Sequence, residues 1–362
     1  MSIRFPPPEV VARAWRVNVE RLGRLAGGHG AQALVHTDGG RALVLKQVRR
    51  RDLPAEGLEA VLEAAWRAGH EHGAVLAAPL PQRGNSGFVL EWEGRRYYLT
   101  RFVEGERPSF RRAADVAAVA GALGRFHRTA GGLGPALAAR LGLPERRDLR
   151  ALCEGALDRH ERLVEAIAAL PRRRPGARLL GAGLPAVREH LAGIRAAPVV
   201  SRLLSGSRSG DRGGGGGGRV PAAGASVPVV LGHGDTHENN FLLGPAGAGR
   251  ACALLDVESL EPRAGAEDLV VPLHYLGFYT RWAPEGLRRS LAAYEAERPL
   301  PAAERACLAF HLLLPRHWYR AARSLVKRNA ALSDVRAWLK WRRGWRDLAR
   351  QAEAVGAAIG VQ

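Results

Sequence analysis

The stretch Leu231–Gly244, LGHGDTHENNFLLG, decides how the rest of the chain is read. Two histidines, His233 and His237, flank Asp235; Asn239 and Asn240 follow, and the chain then turns apolar. Read as His-x-Asp-x-His, the segment is the metal-ligand cluster of a hydrolase, which recruits further His or carboxylate ligands from distant loops. Read the other way, Asp235 and one Asn are the chemical groups of a catalytic loop, and the histidines shape its backbone. The two readings require different partners elsewhere in the sequence.

The partners favour the loop. Asn240 stands five positions after Asp235, and Asp256 ends the next apolar strand, ACALLD, sixteen positions after Asn240. Strand–turn–strand geometry sets the two strands side by side, so Asn240 and Asp256 can face one pocket. Phosphoryl transfer from ATP needs such a trio: a carboxylate to orient the attacking hydroxyl, and an amide oxygen with a second carboxylate to hold Mg²⁺ against the phosphates. Hard oxygen ligands suit Mg²⁺. A fourth requirement is an early cation on a strand. Lys46 in ALVLKQV is the sole Lys before residue 327, in a chain that uses Arg for almost all its positive charge. Keeping Lys there points to a compact ammonium that grips phosphate. Glu59 and Glu63, one turn apart on the following helix, are the acids that could orient it as in kinases, with Glu59 preferred. Gly27, Gly28 and Gly30 in LAGGHGAQAL supply a turn that could cover the phosphates, a weak signal by itself. The metal-hydrolase reading leaves Lys46, Asn240 and Asp256 without a role, and His274, His311 and His317 lack ligand spacing.

Composition narrows the class. The 362 residues suffice for two lobes around a sizeable core. No apolar run reaches the ~18–20 residues of a membrane span, and the N-terminus carries no export signal. Cys153, Cys252 and Cys307 are too few and too scattered for a disulfide framework or a CxxC zinc site, which fits a reducing cytoplasm. The net charge is +19, from 54 Lys and Arg against 35 Asp and Glu. That charge is spread along the chain without an aromatic-interleaved basic patch, so no sequence-specific nucleic-acid partner is expected.

The order of elements is hairpin, helix, hairpin, then helices. AQALVHTDGGRALVLKQV turns at Asp38-Gly39-Gly40, GLEAVLEAAWRAGHEHG has helical spacing, and GFVLEWEGRRYYLTRFVEG turns at Glu93-Gly94. DVAAVAGALGRFHRTAGG reads as a helix begun by an Asp cap, and DLRALCEGALDRHERLVEAIAALP as another closed by Pro171. The stretch at about 205–226, with six consecutive Gly, reads as a disordered insertion. FLLG and ACALLDVES form a short hairpin; LRRSLAAYEAE, ERACLAFHLLLPRHWYRAARSL and DVRAWLKWRRGWRDLARQAEAV are helical.

Here a family resemblance enters. HGDTHENNFLL, ALLDVES and AGAEDLVVPL resemble the catalytic end of the aminoglycoside phosphotransferase and choline kinase superfamily. VLKQV, YYLTRFVEGE and VAGALGRFHRTAGG match its upstream parts in order, and the likeness covers about Arg24 to Trp345. Within the superfamily, LTRFVEGE and HENNFL look most like the CotS-type spore-coat proteins. The resemblance implies an α+β, bilobal, protein-kinase-like fold: an N-terminal nucleotide-binding lobe of antiparallel sheet with one helix (1–103), and a larger, mainly helical lobe (104–362).

The resemblance also implies roles. Asp235 would be the catalytic base, Asn240 and Asp256 the Mg²⁺ ligands, and Lys46 the phosphate-binding Lys. His233 would shape the loop and Asp268 would stabilise the lobe. The backbone around Arg101, Phe102 and Val103 would meet the adenine of ATP, and Glu258 would support the metal through water. The implied activity is transfer of the γ-phosphate of ATP to the hydroxyl of an unidentified acceptor, with spore-coat proteins as further partners. The alternative is a coat protein with the same fold and no turnover. Aminoglycoside sites in the superfamily are acidic, so the basic charge argues against a resistance enzyme.

Overall fold

The computed structural model describes residues 5–25, 32–48, 50, 53–85, 87–174, 176–197, 200–201, 226–245, 251–328 and 352–360. Residues 205–225 of the Gly-rich stretch, Gly27, Gly28 and Gly30, and Trp338, Trp341 and Trp345 of the last helical stretch lie outside them. The fold is mixed α+β. A curled antiparallel sheet occupies the N-terminal part and helices dominate the C-terminal part.

The sheet holds β1 (Val19–Arg24), β2 (Gln32–Thr37), β3 (Ala42–Gln47), β4 (Leu90–Trp92) and β5 (Arg95–Arg101), in the order β1-β2-β3-β5-β4. The β2–β3 hairpin turns at the expected Asp38–Gly40. The β4–β5 hairpin turns at Glu93 and Gly94, both with positive φ (47° and 67°), as a two-residue hairpin turn requires. One face is sealed by Val11, Trp15, Ala33, Val35, Leu43, Leu45, Tyr97 and Leu99. Val11 and Trp15 come from α1 (Pro8–Trp15), an amphipathic helix that the sequence reading did not include; β1 was also missed. Side chains alternate along a strand, so Lys46 projects from the face opposite Leu43 and Leu45, directly across from Tyr98. α2 (Ala55–His70) buries Leu58, Val61, Leu62 and Ala65, the expected helical stripe.

The chain forms two units. The first comprises Met1–Pro108, Gly121–Glu145 and Val229–Asp268; the second comprises Ser109–Ala120, Arg146–Pro228 and Leu269–Gln362. In the first unit the segment after α2 bridges to the later hairpin: Ala77 N–H donates to Leu254 O (2.8 Å), and Leu254 N–H to Val75 O (3.0 Å). Beyond β5 come β6 (Arg146–Asp148) and its antiparallel partner β7 (Ser226–Gly232), and helix α4 (Leu133–Arg140) packs against β7 so closely that a Cβ on Gly134 would stand 2.3 Å from the Val230 carbonyl carbon.

The second unit is built on helices. α5 (Leu149–Ala168) starts at Asp148, whose carboxylate caps the Ala151 N–H at 2.7 Å. The expected Asp115 cap is displaced: α3 (Ala113–Thr129) begins two residues earlier, and Asp115 accepts from the Ser109 N–H (2.8 Å) and pairs with Arg112. The helical stretch 302–328 breaks at Leu314–Pro315 into Ala302–Leu313 and Arg316–Arg328. Pro315 forces Leu314 into an extended conformation (ψ 142°). No helix among the described residues is long and apolar enough to cross a membrane.

Because the clash at Gly134 is with backbone, Gly134→Ala must push β7, the strand that leads into the Asp235 loop. The expected loss is about 1–3 kcal/mol, the cost of overpacking. Chemical denaturation checks it, and an unchanged midpoint would show that helix and strand have room to separate.

Candidate functional site

β7 carries the chain to His233, Gly234 and Asp235. Gly234 has φ 78°, and a Cβ there would lie 2.3 Å from the Ser259 carbonyl oxygen, so glycine is needed on both counts. The turn is held by Asp268, which is fully buried. Its carboxylate accepts from the backbone N–H groups of His233 and Gly234, contacts His127 Nε2 at 3.0 Å, and pairs with Arg263 Nη1 at 3.2 Å. Burial pushes the Asp268 carboxyl up, but Arg263 and His127 outweigh it and hold it far below the ordinary carboxylate value. Burial likewise pulls Arg263 down, and Asp268, Glu267 and Glu261 hold it above its ordinary value.

His233 is also fully buried. Its Nε2 lies 2.6 Å from the Leu255 carbonyl, and its Nδ1 accepts the Asp235 N–H at 3.3 Å. Burial lowers its pKa and keeps it neutral. Both ring nitrogens are therefore committed to backbone groups, as a loop-shaping residue requires. No group of three His, Cys, Asp or Glu that could hold a metal ion occurs among the described residues. With both nitrogens engaged by backbone, His233 offers no free lone pair to a metal ion.

Asp235 stands half-exposed at the tip. Asn240, buried, donates its Nδ2 to the Asp235 carbonyl (2.8 Å) and to Asp235 Oδ2 (3.3 Å). Of the two amides, Asn240 is thus the one seen in contact with Asp235. Burial raises the Asp235 pKa, but His237, His233 and Asn240 outweigh it, and the carboxyl sits below its ordinary value.

Asn240 leads into β8 (Phe241–Leu243), which pairs antiparallel with β9 (Cys252–Leu254) as expected. β9 delivers Asp256, whose carboxylate Oδ1 lies 2.9 Å from Lys46 Nζ. Lys46 is almost wholly buried and sits 5.9 Å from the centre of the Tyr98 ring. Asp256 has φ 59° and ψ 47°, the left-handed region, and its carbonyl accepts from the Ser259 hydroxyl (2.7 Å) and N–H (3.0 Å). Burial raises its pKa and Lys46 more than reverses this, leaving the carboxyl below its ordinary value.

Glu59 does not join Lys46. Its two carboxylate oxygens accept from the Phe88 N–H (2.8 Å) and the Val89 N–H (2.9 Å). Glu63 is engaged by Arg140 at 2.6 Å. Neither helix acid is therefore the partner of Lys46; Asp256 takes that place. Phe102 and Val103 follow β5, with the Phe102 N–H bound to Ala42 O (3.2 Å), and Glu106 makes paired backbone bonds with Leu243 (2.9 and 2.7 Å). The linker is thereby tied to the hairpin that carries Asn240. Gly28 lies outside the described residues. Lys46, Phe102, Val103, Asp235, Asn240 and Asp256 all fall within the first compact unit.

The donor set fits a hard divalent cation. The Asn240 NH₂ is committed to Asp235, so its amide oxygen is the atom to offer, and Asp256 adds a carboxylate. Burial, and after it the Glu258 and Asp256 carboxylates, push the Tyr98 hydroxyl well up, so two carboxylates act on the ring beside Lys46.

The chain is similar to several solved structures. An aminoglycoside phosphotransferase from Alicyclobacillus acidocaldarius aligns over 99% of this chain and 96% of its own, with TM-score 0.66 and 16% identity. A microcompartment-associated aminopropanol kinase aligns over 98% of each chain, with TM-score 0.58 and 17% identity. An amicoumacin kinase in complex with AMP-PNP and Ca²⁺ aligns over 94% of this chain and 92% of its own, with TM-score 0.55 and 15% identity. At these identities the likeness is one of fold, and it establishes the kinase-like α+β architecture. No family model matches the sequence, and no curated protein does.

Asp268→Asn should destabilise the protein by about 3–5 kcal/mol at neutral pH, because it strips the carboxylate from a buried, paired Arg263. The folded-state pKa of Asp268 is depressed, so its stabilisation is complete above the unfolded value of about 3.9 and is lost as pH falls toward the folded value. The gap between wild type and variant, followed by denaturant unfolding across pH, should therefore narrow only in acid. A gap independent of pH would contradict the depressed carboxyl.

Proposed function

We propose that this protein is an ATP-dependent phosphotransferase that moves the γ-phosphoryl group of ATP to a hydroxyl of a small-molecule acceptor. The observation that carries this reading is the convergence of four groups from distant parts of the sequence: Lys46 on Asp256 at 2.9 Å, and Asn240 on Asp235 at 2.8 and 3.3 Å. The kinase-like fold supports it, as do the AMP-PNP complex of the amicoumacin kinase and the aminopropanol kinase among the similar structures.

In this reading Lys46 grips the phosphates and the backbone at Phe102 and Val103 receives the adenine. Asn240 and Asp256 hold Mg²⁺, which when bound neutralises charge on the phosphate oxygens. Asp235 orients the acceptor hydroxyl. The acceptor oxygen bonds to the γ-phosphorus as the bond to the β–γ bridging oxygen breaks; Asp235 takes the hydroxyl proton and ADP leaves. A depressed Asp235 pKa suits a group whose main work is orientation, with proton transfer late, so rate enhancement comes chiefly from positioning and charge stabilisation. The CotS-type likeness and a spore-coat setting rest on the sequence resemblance alone.

Asp235→Asn should lower the transfer rate about 10²–10⁴-fold while sparing ATP binding. Asp256→Ala should weaken binding of Mg²⁺–ATP itself. Calorimetric titration of nucleotide, with a screen of hydroxyl acceptors for phosphate transfer, checks both. Transfer by Asp235→Asn at the wild-type rate would refute the assignment. Tight nucleotide binding without transfer to any acceptor would favour a coat protein that does not turn over.

A further inference from the structure

His237 is the group in the opening stretch that the roles above leave unused. The sequence reading treated it as scaffold, and one of its nitrogens is scaffold: His237 is the N-cap of the 3₁₀ turn Glu238–Asn240, and its Nδ1 accepts the Asn239 N–H at 3.2 Å. The cap has a consequence for the other nitrogen. An Nδ1 that accepts carries no proton, so in the neutral ring the proton resides on Nε2. That Nε2 lies 3.3 Å from Asp235 Oδ2.

Asp235 Oδ2 is therefore approached by two N–H donors, His237 Nε2–H from one side and Asn240 Nδ2–H, also at 3.3 Å, from the other. Both described partners converge on the same oxygen. The carboxylate is half-exposed, with 51% of its side-chain surface open, so packing does not fix its rotation. The two donors do.

We infer that His237 is a positioning residue for Asp235, fixing the carboxylate so that Oδ1, and not Oδ2, is the oxygen presented to the acceptor hydroxyl. The inference rests on the phosphotransferase reading, because it assigns an atom within the base that reading names. It separates His237 from His233, whose two nitrogens are spent on backbone. A carboxylate that can rotate freely offers the hydroxyl either oxygen at a varying angle, and small errors of placement are costly in an in-line transfer.

The test must part the cap from the positioning. His237→Asn does so: Asn is a favoured N-cap and can accept the Asn239 N–H, but its side chain is too short to reach Asp235. His237→Ala removes both functions. The assay is hydrolysis of Mg²⁺–ATP with water as acceptor, which needs no identified substrate. For His237→Asn the expected result is a fall of about tenfold in kcat, with KM for ATP and the melting temperature unchanged. His237→Ala should show the same fall in kcat together with a lower melting temperature. Nitrogen-15 NMR of the wild-type ring, at a pH where it is neutral, should place the proton on Nε2; this readout does not depend on turnover. Wild-type kcat in His237→Asn beside an inactive Asp235→Asn would overturn the positioning role and leave the phosphotransferase reading standing. A proton on Nδ1 would do the same. Wild-type activity in Asp235→Asn, or no hydrolysis by the wild type, would overturn that reading and take this inference with it.

Discussion

The Asp268 carboxylate is the constraint on which the site depends. It is wholly buried, where an isolated charge is far too costly to hold. Four groups stabilise it: the backbone N–H groups of His233 and Gly234, the Arg263 guanidinium, and His127. Two of these four are the peptide groups immediately before Asp235, so satisfying the buried charge and shaping the candidate catalytic turn are one act. His233 extends the same order by binding the Leu255 carbonyl, and the Ser259 hydroxyl closes it, its one proton shared between the His233 carbonyl (2.8 Å) and the Asp256 carbonyl (2.7 Å). The loop is thus fixed by hydrogen bonds to backbone on both sides, while the Asp235 carboxylate stays accessible.

A second connection explains how residues 210 positions apart come to touch. Lys46 is placed by strand register, opposite Tyr98 on the face of the sheet away from Leu43 and Leu45. Asp256 is placed by β9, which is itself anchored to residues 75–77 through the Leu254 backbone. Each partner reaches the meeting point on rigid pairing, and the contact between them adds little search. Buried ion pairs gain little net stability, so this one is better understood as specifying geometry than as holding the fold together.

Much of this was legible in the sequence, for reasons particular to each residue. Asp235, Asn240 and Asp256 sit in a loop and hairpin where spacing alone limits geometry, and Lys46 stood out against an Arg-rich background. The β4–β5 turn was written in Glu93-Gly94; the break at Leu314-Pro315 was read through as helix, although Pro315 carries its signal. Glu59 was misjudged because helical spacing put it on a suitable helix but could not show two backbone donors, Phe88 and Val89, ready to take both its oxygens. His127 carries no local mark; its partner Asp268 lies 141 positions away. The helix Pro8–Trp15 did leave a signal, a proline at its start with Val11 and Trp15 one turn apart, and the strand after it is an irregular edge with a register shift.

Asp256 bears most directly on whether the site was built for chemistry. A non-glycine residue in the left-handed region costs about 1–2 kcal/mol, and Gly would remove that cost. Here the strain is kept and then held from several directions. Ser259 donates both its hydroxyl and its N–H to the Asp256 carbonyl, Lys46 holds the carboxylate, and the preceding Leu255 carbonyl faces the His233 ring. Stability alone gives no reason to retain a carboxylate at this backbone angle. What this backbone angle does is set the carboxylate beside Lys46, at the end of the strand paired with the one that follows Asn240, which is the placement the proposed metal-binding role requires.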